Sequence, residues 1–257
     1  MTASILSTLL FCGLANAGAP KPLLVMLDPG HGGRDRGAIR SVVYEAAITL
    51  AVSQELRGLL HNDKRFSVLT TRDDDQSVSL SARARLAKSK HAQIFVSIHV
   101  NSSPDKKARG AEFYFQNQLP PDEESMFLAH QENVAEAGET APPQTYDFLE
   151  GNSYPVEVGA ILSDLLDGDR IQRSSDLSKM LKLSWRGSKK SKTNSIRQAP
   201  FYVLSQMRTP STLVELGFLT NEDDFKTLTD PAARKKMAED LYLGLVAYKE
   251  SLDRLAP

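Results

Sequence analysis

The apolar positions of this chain fall into short unbroken runs separated by stretches of helical spacing, the pattern of buried strands alternating with amphipathic helices. Leu23, Leu24, Val25, Met26 and Leu27 show no polar alternation, and Asp28, Pro29 and Gly30 stop the run abruptly. From Tyr44 to Leu60, Ile48, Val52, Leu56, Leu59 and Leu60 recur at helical intervals. Phe66 to Thr71 reads as a strand, Ser79 to Lys88 as a helix containing Arg83 and Arg85, Ile94 to Val100 as a second buried strand and Gly110 to Gln116 as a third. Ser195 to Leu204 and Thr212 to Leu216 supply further strand-like runs, and Asn221 to Asp224 turns the chain. Asp230 and Pro231 then open a last helix reaching about Leu252, with Met237, Leu241, Leu245 and Tyr248 as its core stripe. These elements predict a three-layer α/β/α single domain, a mostly parallel twisted sheet of about six strands with helices on both faces.

Two stretches depart from that rhythm. Met1 to Ala17 has an apolar centre, Ile5 to Ala15, and the small-x-small sequence Ala15-Asn16-Ala17 before Gly18, which reads as a cleaved export signal although no basic residue precedes it. The centre is short for a bilayer span, so no stable membrane anchor is expected. Asn117 to Gly168 is acidic and interrupted by Pro120, Pro121, Pro142, Pro143 and Pro155. It holds the helix-like piece Glu123 to Ala137 and the start of another, Val156 to Leu183, with apolar Val158, Ile161, Leu162, Leu165 and Leu166. An insertion of that length reads as a lid or a docking element rather than a passive connection.

Composition narrows the chemistry. Cys12, the single cysteine of the 257 residues, lies within the export signal, so a mature chain of residues 18–257 must hold any transition metal with His, Asp and Glu. A formal net charge of −1 argues against nucleic-acid partners, and the basic run Arg186 to Lys192 reads as a solvated face.

The loop after the first strand, Asp28-Pro29-Gly30-His31-Gly32-Gly33, sits where open α/β sheets bind ligands, beyond the carboxyl ends of the strands. Its glycines match no phosphate-binding spacing, which leaves His31 as a metal ligand or an ordinary loop histidine. His99 ends the second buried strand, and Glu45 opens the helix between the two. If the strands are parallel neighbours, both imidazoles emerge on one edge beside the helix start, and His31, Glu45 and His99 form a His/Glu/His set of the kind that holds catalytic zinc. Glu45 is otherwise a first-turn acid favoured by the helix dipole. Glu215 stands amid Leu213, Val214 and Leu216, where an ionised carboxylate needs a polar partner, and a place beside a zinc-bound water would make it a general base. Asn101 either holds a polar group of the substrate or caps the strand end. Asp28 either orients His31 or shapes the turn before proline. Asp73, Asp74 and Asp75 read as loop and cap residues.

These same segments carry a resemblance. LDPGHGG with His31, YEAAITLAVSQEL with Glu45, SIHVNS with His99, IRQAPFYVL, and LVELGFLTN with Glu215 resemble the zinc-dependent N-acetylmuramoyl-L-alanine amidases of the amidase 3 type, from about Leu23 to Leu252. The resemblance implies an exported enzyme of the periplasm or cell envelope that cuts the amide between the lactyl group of N-acetylmuramic acid and L-alanine in peptidoglycan. By the match, Zn2+ is held by His31, Glu45 and His99, and Glu215 is the catalytic carboxylate. It also implies a meaning for residues 117–168: relatives acting in daughter-cell separation carry a helical insertion there that covers the zinc cleft until an activator protein removes it. Glu132, Glu136 and Glu150 are candidate blocking carboxylates. Two other readings of the metal set are a different zinc peptidase or deacetylase acting on cell-wall material, and a non-catalytic peptidoglycan-binding module.

Overall fold

The expected buried runs become the centre of a mixed six-stranded sheet in the computed structural model, which describes residues 21–137, 156–186 and 194–255. Strand β1 (Leu23–Pro29) delivers the glycine loop, which continues through the two-residue strands β2 (Ile39–Arg40) and β3 (Val43–Tyr44) into helix α1 (Glu45–His61). Then come β4 (Phe66–Thr70), α2 (Leu80–Ser89), β5 (Ile94–Asn101), β6 (Glu112–Phe115), α3 (Glu123–Ala137) and α4 (Val156–Ser184). The chain closes with β7 (Ser195–Gln198), α5 (Tyr202–Ser205), β8 (Ser211–Phe218), α6 (Glu222–Thr229) and α7 (Pro231–Leu255). Strand order is β4-β1-β5-β8-β6-β7, with β4, β1, β5 and β8 mutually parallel. Strand β6 runs antiparallel to β8, and β7 follows β6 in parallel.

Both faces of the sheet are covered, which is why its strands lack alternation. Val25 and Leu27 of β1 point into a core shared with Ile48 and Val52 of α1, Leu177 and Leu181 of α4, and Leu241 and Leu245 of α7. Met26, between them, points to the opposite core with Leu80 of α2, Leu128 of α3 and Val203 of α5. Strands β5 and β8 are buried along their whole length, and at roughly 25 cal/mol per Å2 of apolar area these two layers supply most of the drive to fold.

Three expectations need correction. The run to Leu204 is a strand only through Gln198, because Pro200 ends the pairing and the Tyr202–Ser205 segment turns helical. Asn221 to Asp224 is a helix start: the Asn221 side chain accepts from the backbone N–H groups of Asp223 and Asp224 and caps α6. Gly168 is no boundary either, since α4 runs through it unbroken. That helix is divided by burial instead. Val158, Ile161, Leu165 and Leu166 are exposed, whereas Leu177 and Leu181 are buried and Ser174 and Ser178 hydrogen-bond to β8. The export-signal reading and Glu150 lie outside the described residues, as does the side chain of Glu136.

Candidate active site

Strands β1 and β5 are parallel neighbours, so their carboxyl ends carry His31 and His99 to the same edge. The ring centroids stand 5.0 Å apart in a T-shaped arrangement. His31 adopts a left-handed backbone, φ 57°, a conformation that side-chain-bearing residues rarely hold without cause. Two buried arginines supply the cause. Arg72 donates to the carbonyls of Pro29 (2.9 Å), Gly30 (2.8 Å) and Ala46 (2.9 Å). Arg83 donates to the carbonyls of Pro29 (2.7 Å) and His31 (2.8 Å) and to Asp28 (2.9 Å). The glycines make room: a Cβ at Gly30 would lie 2.4 Å from the His99 ring, and one at Gly37 would lie 2.5 Å from Glu45 Oε2 and 2.6 Å from His31 Cδ2.

Glu45 reaches the same point from the start of α1. That helix end has no side-chain cap; the N–H groups of Glu45 and Ala46 bond instead to the carbonyls of Ala38 (2.9 Å) and Arg36 (3.2 Å). The Glu45 carboxylate turns inward, accepting from the backbone N–H of Ala38 at Oε2 and of Val100 at Oε1, each at 2.8 Å. Oε1 then lies 3.2 Å from His31 Nε2 and 3.1 Å from His99 Nδ1.

A fourth group enters from α3. Glu132 Oε2 is 3.2 Å from His31 Nε2 and 3.3 Å from His99 Nδ1, so the helix-like piece of the insertion covers the site with a carboxylate. Beside it, Glu215 pairs in register with His99 across β5 and β8. Glu215 is 1% exposed, and neither of its carboxyl oxygens has a hydrogen-bond partner among the described residues. His31, Glu45 and His99 form one set of ligand atoms all within 4.8 Å of one another, and His99, Glu132 and Glu215 form a second.

The electrostatics follow from burial and proximity. Burial works against charge on His31 and His99, yet the carboxylates around them raise both imidazoles well above the usual histidine range. Burial likewise opposes charge on Glu45, and the two imidazoles overcome it and hold its carboxyl below the usual range. Glu215 moves the other way. Burial pushes it well above the ordinary carboxyl value, the His99 charge opposes that, and Glu45, Glu132 and Glu112 reinforce it.

Some roles differ from those expected. Asp28 does not orient His31: it is buried against Arg83, Thr71 and Ser97, while Asp35 Oδ2 accepts the His31 Nδ1 hydrogen bond at 2.7 Å and leaves Nε2 facing the site. The Asn101 side chain donates to Glu112 at 3.2 Å, and its carbonyl accepts from Leu219 N–H at 2.8 Å. Asp75 is the loop residue expected, accepting from Gly33 N–H at 2.8 Å. Sequence reasoning missed Arg72, Asp35 and the structural part of Arg83. For Arg83 a signal existed, because it shares the buried stripe of α2 with Leu80, Ala84 and Ala87.

An imidazole–carboxylate cluster at the carboxyl ends of parallel strands, with an unpaired buried carboxyl beside it, defines an α/β domain with a candidate hydrolytic metal centre. Residues 25–247 match the family described as N-acetylmuramoyl-L-alanine amidase. The chain belongs to that family of peptidoglycan hydrolases, as the sequence motifs implied. It is 32% identical over 229 residues to N-acetylmuramoyl-L-alanine amidase AmiA of Salmonella typhimurium, covering 88% of this chain and 75% of that one. It is 30% identical over 256 residues to a probable N-acetylmuramoyl-L-alanine amidase AmiB of Haemophilus influenzae, covering 96% of this chain but spanning only 57% of that protein's length. Among solved structures, the CwlD amidase of Clostridioides difficile in complex with the GerS lipoprotein superposes with a TM-score of 0.63 at 25% identity, covering 88% of this chain and 97% of that one.

Proposed function

We propose that the chain is a zinc-dependent enzyme that hydrolyses the amide joining the lactyl group of N-acetylmuramic acid to L-alanine, and that Glu132 holds it closed. The observation that carries this reading is the convergence of four ligand atoms. His31 Nε2 and His99 Nδ1 each lie 3.1–3.3 Å from Glu45 Oε1 and Glu132 Oε2. Ligands bound tetrahedrally at about 2.05 Å stand about 3.3–3.4 Å apart, so these four nitrogen–oxygen separations, like the donor types, suit Zn2+.

In this reading His31, Glu45 and His99 would hold the ion, and the Glu132 carboxylate would compete with the attacking water. A bound zinc supplies a Lewis acid and brings a water's pKa to about 7. Asp35 holds the His31 proton on Nδ1, so Nε2 presents its lone pair. Glu215 takes the proton of the attacking water on its unpaired carboxylate and returns it to the departing L-alanine nitrogen. An adjacent dication would draw the Glu215 pKa down from its elevated value toward the working range.

Opening requires Glu132 to leave with α3. The exposed stripe Val158, Ile161 and Leu165 on the first half of α4 is the face we assign to an activator protein, in the helix-in-groove manner. Export to the periplasm or cell envelope fits a peptidoglycan substrate, and no helix among the described residues is long and apolar enough to cross a membrane.

The test is a purified zinc-loaded protein on peptidoglycan. Glu132→Ala raises the basal rate about tenfold or more, and Glu215→Gln in that background removes hydrolysis while retaining metal, a loss of about 100-fold or more. An unchanged rate in a folded Glu132→Ala protein overturns the closed-site reading. Retained hydrolysis in the double variant removes Glu215 as the base. Free muramoyl ends paired with free stem peptides identify the bond cut and separate this amidase from a peptidase or deacetylase.

A further inference from the structure

The row of side chains that begins at the site does not end at Glu215. Register pairs His99 of β5 with Glu215 of β8, Glu215 with Glu112 of β6, and Glu112 with Ser195 of β7. Directly paired residues share a sheet face, and Arg197, two positions beyond Ser195, lies on that face too. Arg197 Nε donates to Ser195 Oγ at 3.3 Å and forms an ion pair with Glu112 Oε1 at 3.0 Å. Glu112 is itself fixed, accepting from Tyr114 Oη at 2.9 Å and from Asn101 Nδ2 at 3.2 Å. The guanidinium is therefore oriented by its Nε edge and presents Nη1 outward.

What meets Nη1 is acidic and comes from the covering helix. Glu124 Oε2 lies 2.7 Å away, and Asp122 Oδ1, just before α3, lies 3.4 Å away. The acids are 61% and 58% exposed, against 25% for Arg197. Exposed pairs of this kind add little stability, so the contacts are exchangeable. One helix thus places a carboxylate on the metal-ligating cluster and two more on an arginine farther along the same row. The separations agree: Glu124 to Glu132 spans about 12 Å of helix, and three strand spacings from β5 to β7 span about 14 Å. An extended peptide covers that distance in three to four residues.

We propose that Arg197 binds a free carboxylate on the stem peptide, about three residues beyond the scissile amide, and that Asp122 and Glu124 occupy its place while the site is closed. The covering helix thereby imitates the substrate at two points, the reacting centre and the acidic tail. Arginine suits the task because its planar fork binds a carboxylate through two parallel hydrogen bonds, an arrangement lysine does not reproduce. The inference rests on the closed-site reading above.

The experiment is calorimetric binding of the product stem peptide L-Ala-γ-D-Glu-meso-diaminopimelate-D-Ala to the full chain carrying Glu132→Ala, with the same peptide amidated at the third residue's side-chain carboxylate as comparison. The free carboxylate should favour binding about 10- to 100-fold, and Arg197→Gln should abolish that preference. Arg197→Lys, which keeps the charge beside Glu112, should retain only part of it and serves if the Gln variant does not fold. Asp122→Asn combined with Glu124→Gln, which leaves the sheet untouched, should tighten the acidic peptide several-fold and leave the amidated one unchanged. A folded Arg197→Gln protein that still distinguishes the two peptides overturns the proposal, as does unchanged affinity in the doubly neutralised variant. Failure of the closed-site reading is seen separately, as a Glu132→Ala protein no more active than its parent. Preference tracking amidation of the D-glutamate carboxylate instead would overturn the third-residue assignment.

Discussion

Gly37→Ala tests whether the glycine loop exists to let the proposed ligands approach one another. Gly37 has φ +63°, and a Cβ built there lies 2.5 Å from Glu45 Oε2 and 2.6 Å from His31 Cδ2. Ordinary contact begins near 3.4 Å, so one or both side chains must retreat by about 0.9 Å. Neither has slack. Glu45 Oε2 is held by the Ala38 N–H at 2.8 Å and His31 Nδ1 by Asp35 at 2.7 Å. Displacing the supports of metal ligands typically costs about 10- to 100-fold in affinity, and the left-handed backbone adds about 1–2 kcal/mol for alanine. In a domain of this size that is a fall in Tm of about 2–8 °C. Zinc competition against a chromophoric chelator reads the first effect and thermal unfolding reads the second. Gly58→Ala is the control, since Gly58 lies within α1 with no described atom within 4 Å of its Cβ position; it should leave zinc affinity alone and stabilise by about 0.8–1 kcal/mol. A folded Gly37→Ala protein that binds zinc as tightly as its parent refutes the reasoning.

Other consequences are open to measurement. Arg83→Met leaves Asp28 buried without its cation and should cost about 3–5 kcal/mol in denaturant unfolding. Asp28 titrates below its ordinary value, so its stabilising share is present above about pH 3.9 and lost as pH falls through the lowered value; the parent minus Arg83→Met difference should shrink in acid. His31 and His99 are raised, so in metal-free protein their contribution is full below about pH 6.5 and lost as pH rises through the raised values. Zinc needs neutral imidazoles, so the Tm gap between zinc-loaded and metal-free protein should widen with pH, and a constant gap would remove the imidazoles as ligands. Gly244→Ala pushes a methyl to 2.7 Å from the Leu181 backbone, parting α7 from α4 at about 1–3 kcal/mol; no loss of Tm would show that the two helices have room to separate.

Legibility followed the strength of the local signal. Runs such as Ile94 to Val100 are short, apolar and rich in β-branched residues, which favours a doubly covered strand, and once two such strands are parallel neighbours the convergence of His31, Glu45 and His99 follows from topology. Glu215 was visible because a carboxylate amid Leu213, Val214 and Leu216 is costly without a purpose. Phe201 to Leu204 misled, because its β-forming residues were outweighed by the proline before them. Arg72 and Arg83 stayed hidden for a different reason. They act on backbone carbonyls, and which carbonyls need donors is decided only by the folded loop. The insertion showed its helices but not which carboxylate would face the cluster, since the helical phase of α3 against the sheet is set by Leu128 and Ala129 packing near Tyr114 and Phe201.

The three proposed zinc ligands come from the end of one strand, the start of a helix and the end of a second strand, and they meet only when β1 and β5 lie side by side. An extended chain has no such site to offer, so the ion can be held only once the fold has brought these elements together. The metal is thus drawn from wherever folding takes place rather than from where the polypeptide is made, and a chain kept unfolded on its way to another compartment would arrive there empty.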